Sequence, residues 1–153
     1  MSAAELKMEG LEKFLKALKS KPPVARIGIL GGGTREEGKL TNAEVGAAHE
    51  FGTSKLPVRS FLRMPIADQL PKRLQNLGAV SKDTLKKVVQ EKTLIPWLER
   101  IAIEGVATVN TAFDTRGFGA WIPSDMTHKA VKQTLVETQQ LRDSITYDVK
   151  EGE

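Results

Sequence analysis

Apolar residues recur every three to four positions in several stretches of the chain, a spacing typical of helices that bury one face. The first stretch covers residues 4–20 and carries Leu6, Leu11, Phe14, Leu15 and Leu18. It predicts an N-terminal helix within residues 1–21, ended by Pro22 and Pro23 because proline cannot continue the hydrogen-bond ladder. Looser alternation over residues 24–30 predicts a strand.

The middle of the chain carries start and stop signals for a short helix. Thr41 and Glu44 have the spacing of a capping box, in which each side chain bonds the other residue's backbone amide. We therefore expect a helix over about 42–51, ended by Gly52. Residues 53–64, which place basic residues around an apolar pair, predict an extended arm or a loop.

Two further helical segments follow the arm. Pro65 suits the first position of a helix that runs to about Leu77. Ser81 is a plausible N-cap for the longest segment, about 82–112, and Pro96 predicts a kink there or two abutting helices.

The C-terminal part combines turns with one more strand. Residues 113–134 are rich in turn-forming residues, and a short helix near 138–143 precedes a strand over 144–149. In that strand Ile145, Tyr147 and Val149 alternate with polar residues. The chain is therefore predicted to be a single α+β domain over 1–153, with a small, mostly antiparallel sheet packed against one long helix.

Composition limits the classes of protein to consider. The 153 residues are 40% hydrophobic and 27% charged, include no cysteine, and carry a net charge of +4. Disulfides and cysteine-based sites are thereby excluded. No signal peptide or membrane span is expected, since no apolar run approaches the ~18 residues that a span needs. The positive charge is compatible with contact to nucleic acid or to an acidic protein.

Motifs that would indicate catalysis fail on spacing. Gly31, Gly32 and Gly33 follow a strand, but no Gly-Lys-Ser/Thr comes after them, so a mobile hairpin tip is the better interpretation of this loop. His49 and Glu50 lack the second histidine of a zinc-protease helix. The serines sit in no nucleophile elbow. We expect neither enzymatic activity nor a metal or cofactor.

Two segments are distinctive for the order of their residues. The first runs Asn42-Ala43-Glu44-Val45-Gly46-Ala47-Ala48-His49-Glu50-Phe51-Gly52-Thr53 and continues with Leu56-Pro57-Val58-Arg59-Ser60-Phe61-Leu62-Arg63. The second contains Trp121-Ile122-Pro123-Ser124, Thr127, Lys129, Leu135 to Thr138, and Leu141-Arg142-Asp143-Ser144-Ile145. Together they resemble the tail-completion or head–tail joining proteins of long-tailed bacteriophages, including the Mu-like virion morphogenesis group. The resemblance covers roughly residues 24–149, but Gln139 stands where that family usually has glycine.

The resemblance implies a ring-forming α+β subunit, commonly a hexamer, at the neck of the virion. Its partners would be copies of itself, the tail terminator or tail tube, and a head-completion protein or portal adaptor. It implies assembly in the host cytoplasm and no catalytic residue. The motif positions that carry it are His49, Glu50, Phe51, Gly52, Trp121, Pro123, Thr138 and Leu141.

The arm is the expected contact between neighbouring subunits. Aromatic and arginine residues are enriched at interface hot spots. The predicted contact residues are Lys55, Leu56, Pro57, Arg59, Phe61, Leu62 and Arg63. The alternative is that Phe51, Phe61 and Leu62 belong to the core of their own domain and that the arginines are merely solvated, because apolar residues are more often core than interface.

A run of lysines on the long helical segment gives a second hypothesis. Lys82, Lys86, Lys87 and Lys92 would lie near DNA phosphates if this helix faced a channel. A solvated helix face is the simpler explanation. The alternative function is a small basic nucleic-acid-binding protein of a phage or prophage, although the sequence contains no helix-turn-helix or aromatic stacking platform. A small hydrolase, supported only by scattered Ser, His and Asp residues, is a third.

Overall fold

A computed structural model describes residues 22–31, 40–77, 81–122 and 139–152, together with Glu12, Leu15, Lys16 and Lys19, which are helical. The elements are β1 (Val24–Ile29), α1 (Asn42–Phe51), a π-helical turn (Pro65–Gln69) that continues into α2 (Leu70–Asn76), α3 (Lys82–Glu91), α4 (Ile95–Asp114), α5 (Gln139–Asp143) and β2 (Ile145–Lys150). The predicted α+β class is confirmed, with a two-stranded sheet over a dominant helix.

The sheet joins the two ends of the described chain. β1 and β2 pair antiparallel, with Val24 opposite Lys150 and Ile29 opposite Ile145. Alternating side chains turn one face of the sheet towards α4, which contacts both strands. On the other face Arg26 donates a hydrogen bond to Asp148 across the strands.

α4 is the centre of the core. Its buried residues recur at three-to-four spacing, as expected of a helix covered along one side: Ala102, Glu104, Gly105, Thr108, Val109, Ala112 and Phe113. The one carboxylate in this stripe, Glu104, lies 2.7 Å from Arg73 Nε and 3.0 Å from Arg100 Nη2. These ion pairs compensate its desolvation and connect α2 to α4.

Helix boundaries follow the local signals. The capping box is present: Thr41 Oγ1 accepts from the amide of Glu44 at 3.2 Å, and Glu44 accepts from the amide of Thr41 at 2.8 Å. Ser81 caps α3 by accepting from the amide of Thr84 at 3.1 Å. The predicted long segment is two abutting helices, and the break falls at Lys92, which adopts a left-handed conformation, rather than at Pro96.

Candidate interaction site

A buried carboxylate connects the two halves of the first segment, residues 42–53 and 56–63. Glu50, on the last turn of α1, is 5% exposed. It accepts hydrogen bonds from the Ser60 hydroxyl at 2.6 Å and from three consecutive backbone amides, those of Phe61 at 2.9 Å, Leu62 at 3.0 Å and Arg63 at 3.1 Å. These amides lie where the chain begins to coil towards the π-helical turn. Amides at a helix start have no intrahelical partner and favour negative charge, so Glu50 caps a helix that is remote in sequence.

Ser60 extends this cap to the second motif. Its hydroxyl accepts from the amide of Met64 at 2.9 Å, and its carbonyl accepts from Trp121 Nε1 at 3.2 Å. The Arg59 amide donates to the His49 carbonyl at 2.8 Å, and Arg59 Nε donates to the Ile122 carbonyl at 3.4 Å. Glu50, Arg59, Ser60 and Trp121 therefore form one hydrogen-bonded junction, which we call the Glu50 junction.

The interface prediction for Phe61 and Arg59 is wrong. Phe61 is 1% exposed within its own chain, and its ring centroid lies 5.3 Å from that of Phe113. Phe113 in turn meets Trp121 edge-on at 5.9 Å. Arg59 is 4% exposed, and burial lowers the pKa of its guanidinium from the usual value. Both side chains are core, the alternative that the sequence had left open for Phe61.

Residues 52–60 are non-helical, and of the two predicted forms they adopt the loop, which folds back on α1. Gly52 has a φ of +75°, which favours glycine, and a Cβ there would lie 2.9 Å from Val58 Cγ2. Thr53 and Leu56 then exchange backbone hydrogen bonds of 2.9 and 3.3 Å, closing a tight turn. The segment returns to α1 at Arg59.

The turn presents apolar side chains to solvent. Phe51 is 65% exposed, Val58 54% and Leu56 37%. The Arg63 guanidinium lies 5.3 Å from the centroid of the Phe51 ring and makes a cation–π contact with this exposed side chain. Phe51, Leu56, Val58 and Arg63 are called the turn surface below.

The remaining predicted interface residues divide by exposure. Lys55 is exposed, whereas Pro57 and Leu62 are half-buried. Sequence reasoning missed Val58. Its exposure follows from the path of residues 52–60, which turn at Thr53–Leu56 and return to α1 at Arg59, and no local sequence pattern reports that path.

Three other motif residues and the predicted lysines complete the comparison. Leu141 is 1% exposed and belongs to the core cluster that contains Phe61 and Trp121, while Pro123 and Thr138 lie outside the described residues. The four lysines of the second hypothesis are exposed along α3 and at its C-terminal end: Lys82, Lys86, Lys87 and Lys92. Among the described residues, one of these lysines forms an ion pair: Lys86 lies 3.9 Å from Asp83 on the same helix.

The described residues contain no cluster of three or more His, Cys, Asp or Glu side chains that could hold a metal ion. None of the described helices combines the length and apolar character needed to cross a bilayer. Comparisons with protein-family models, with curated proteins and with solved structures gave no match.

Proposed function

We propose that this protein is a non-enzymatic structural subunit of a tailed-phage virion, one copy in a neck ring that completes the tail and joins it to the DNA-filled head. The observation that carries the proposal is the Glu50 junction. It brings together residues from both segments that resemble the tail-completion family. A rigid junction that positions a short apolar surface suits a protein that works by assembly.

The turn surface is the proposed contact with the next copy. It combines an aromatic ring, two aliphatic side chains and an arginine, the composition of interface hot spots. Its backbone is fixed by the Thr53–Leu56 turn and by the return to α1. Little conformational entropy would be lost on docking, which favours affinity. A ring requires such a surface to meet a different surface on its neighbour, in a head-to-tail contact.

The proposed partners follow from this position in the particle. They are copies of the chain itself in a hexameric ring, a tail terminator or tail tube protein on one side, and a head-completion protein or portal adaptor on the other. No catalytic step and no cofactor is part of the proposal. A basic nucleic-acid-binding protein is the second candidate, favoured by the exposed lysines of α3.

Genetic complementation tests the proposal in a phage that encodes the chain. Deleting the gene should leave DNA-filled heads and free tails, and the wild-type chain supplied in trans should restore joined particles. Val58→Asp should fail to restore joined particles. The variant should still fold, because Val58 is exposed in the single chain. Val24→Asp, at an exposed site away from the turn surface, is the matched control and should complement.

Two further measurements complete the test. Particles from the complemented strain should carry the protein at the top of the tail, as seen by immunogold labelling. Purified Val58→Asp protein should unfold at the wild-type temperature. Infectious particles that retain their DNA without this protein would refute the proposal, and full complementation by Val58→Asp would remove the turn surface from it.

A further inference from the structure

We propose that α3 is a second docking surface, which binds an acidic amphipathic helix of a different polypeptide. The surface shares no residue with the turn surface and goes beyond the proposed function, on which it does not depend. Three observations carry the inference: an exposed apolar stripe, an apolar groove beside it, and an excess of positive charge on the same helix.

The apolar stripe of α3 is only partly used within the chain. Leu85, Val88 and Val89 share one side of the helix, at spacings of three and four residues. Val88 is 8% exposed, but Leu85 is 50% exposed and Val89 69%. A helix that merely covers its own core would bury this stripe. Among the described elements α3 packs substantially against α4 alone, which leaves the outer half of the stripe uncovered.

A groove continues the stripe towards α4. Leu85, Val88, Leu94 and Trp97 line it, and its volume is about 220 Å³. The surface of the groove is entirely apolar, so it suits an apolar side chain inserted by a partner helix.

Charge selects the partner. α3 and its C-terminal end carry four lysines, at positions 82, 86, 87 and 92, against two carboxylates, Asp83 and Glu91, leaving an excess of two positive charges. Lys82 and Lys86 lie beside the stripe, each three positions before one of its exposed residues, whereas Lys87 lies on the opposite side of the helix. A helix with leucines on one side and glutamates flanking them would match both features, in the helix-in-groove mode of recognition. A second copy of this chain matches less well, because the chain itself carries a net charge of +4. Duplex DNA would engage the lysines and leave the apolar stripe unused.

Fluorescence anisotropy with three labelled probes tests the inference on the full chain. The first probe is a synthetic helix of leucine, alanine and glutamate with its leucines on one face. The second has the same composition with its leucines dispersed, and the third is duplex DNA. The first peptide should bind, and the second should bind at least about fivefold more weakly, because it lacks a continuous apolar face.

Variants separate the apolar contribution from that of charge. Val89→Ser should weaken binding of the first peptide at least about fivefold, the effect expected at an interface anchor. Lys82→Glu combined with Lys86→Glu, the two lysines beside the stripe, should weaken it as well. Val24→Ser, at an exposed valine on β1, should leave it unchanged. Circular dichroism checks that each variant keeps its helix content.

Several outcomes would overturn the inference. It fails if neither peptide binds, or if both bind equally well. It also fails if Val89→Ser leaves affinity for the first peptide unchanged while the lysine variant abolishes it, since charge alone would then explain binding. Preferential binding of DNA that is insensitive to Val89→Ser would instead identify the lysines as phosphate contacts.

Discussion

Replacing Glu50 with alanine should destabilise the fold more than any other single loss of a carboxylate on α1. The substitution leaves the Ser60 hydroxyl and the amides of Phe61, Leu62 and Arg63 without their acceptor. Each hydrogen bond to a charged group contributes about 1.5–3 kcal/mol. Water entering beside the exposed Arg63 would replace part of the lost hydrogen-bond energy, because the junction lies just below the surface.

The net cost expected is about 3–5 kcal/mol, the range for removing one partner of a buried charged network. In a domain of this length each kcal/mol lowers the melting temperature by roughly 2–4 °C, so a fall of about 6–20 °C follows. Glu50→Gln should lie between alanine and wild type. It keeps one acceptor oxygen but turns an NH₂ group towards backbone donors.

Urea unfolding followed by tryptophan fluorescence measures this cost, since Trp121 belongs to the same junction. The urea concentration at the midpoint should fall, while the slope of the unfolding free energy against urea concentration stays the same, as expected when stability alone changes. Glu99→Ala, at an exposed position of α4, is the matched control and should stay within about 0.5 kcal/mol of wild type. A cost below about 1 kcal/mol for Glu50→Ala would refute the account of the junction as a buried helix cap.

Two further predictions concern a strained turn and an exposed ion pair. Gly117→Ala should lower the free energy of unfolding by about 2–4 kcal/mol, because its Cβ would lie 2.2 Å from Trp121 Nε1. Gly119→Ala, at a φ of +84° in open space, is the control and should lower it by only about 1–2 kcal/mol. Equal losses in thermal unfolding would contradict the steric argument. The hydrogen bond from Arg26 lowers the pKa of Asp148 below its usual range. The stability that ionised Asp148 contributes should therefore be complete above the unfolded-state pKa of this carboxyl. It should disappear as the pH falls through the lowered folded-state pKa. NMR titration should find that Arg26→Ala raises this pKa, and an unchanged value would argue against the contact.

Local signals predicted most of the fold. The capping box at Thr41, the cap at Ser81 and the alternation in β2 each depend on residues within a few positions of one another. Sequence patterns of this kind report short-range physics directly. The break between α3 and α4 was placed a few residues late, because Pro96 is tolerated in the first turn of a helix while Lys92 carries the left-handed conformation.

The candidate site could be predicted only in part. The two motifs identified the segments that meet, but not how they meet. Glu50 bonds amides 11 to 13 positions further on, a distance at which no helical or strand period applies. Local patterns do not distinguish a core from an interface position for Phe61, and the resemblance to the tail-completion family favoured the interface, which is wrong. The burial of Phe61 depends on Phe113, which lies 52 positions away and packs against it through α4.

The pairing of β1 with β2 has a consequence for the order of events during synthesis. β1 leaves the ribosome early, yet its partner strand is completed only after residue 150. Contacts so distant in sequence form late, because a long loop must close first. The nascent polypeptide therefore cannot complete its sheet, and chains that stop short of β2 keep an unpaired edge strand. Such fragments are expected to be cleared or to aggregate, so that only chains that include β2 accumulate in folded form.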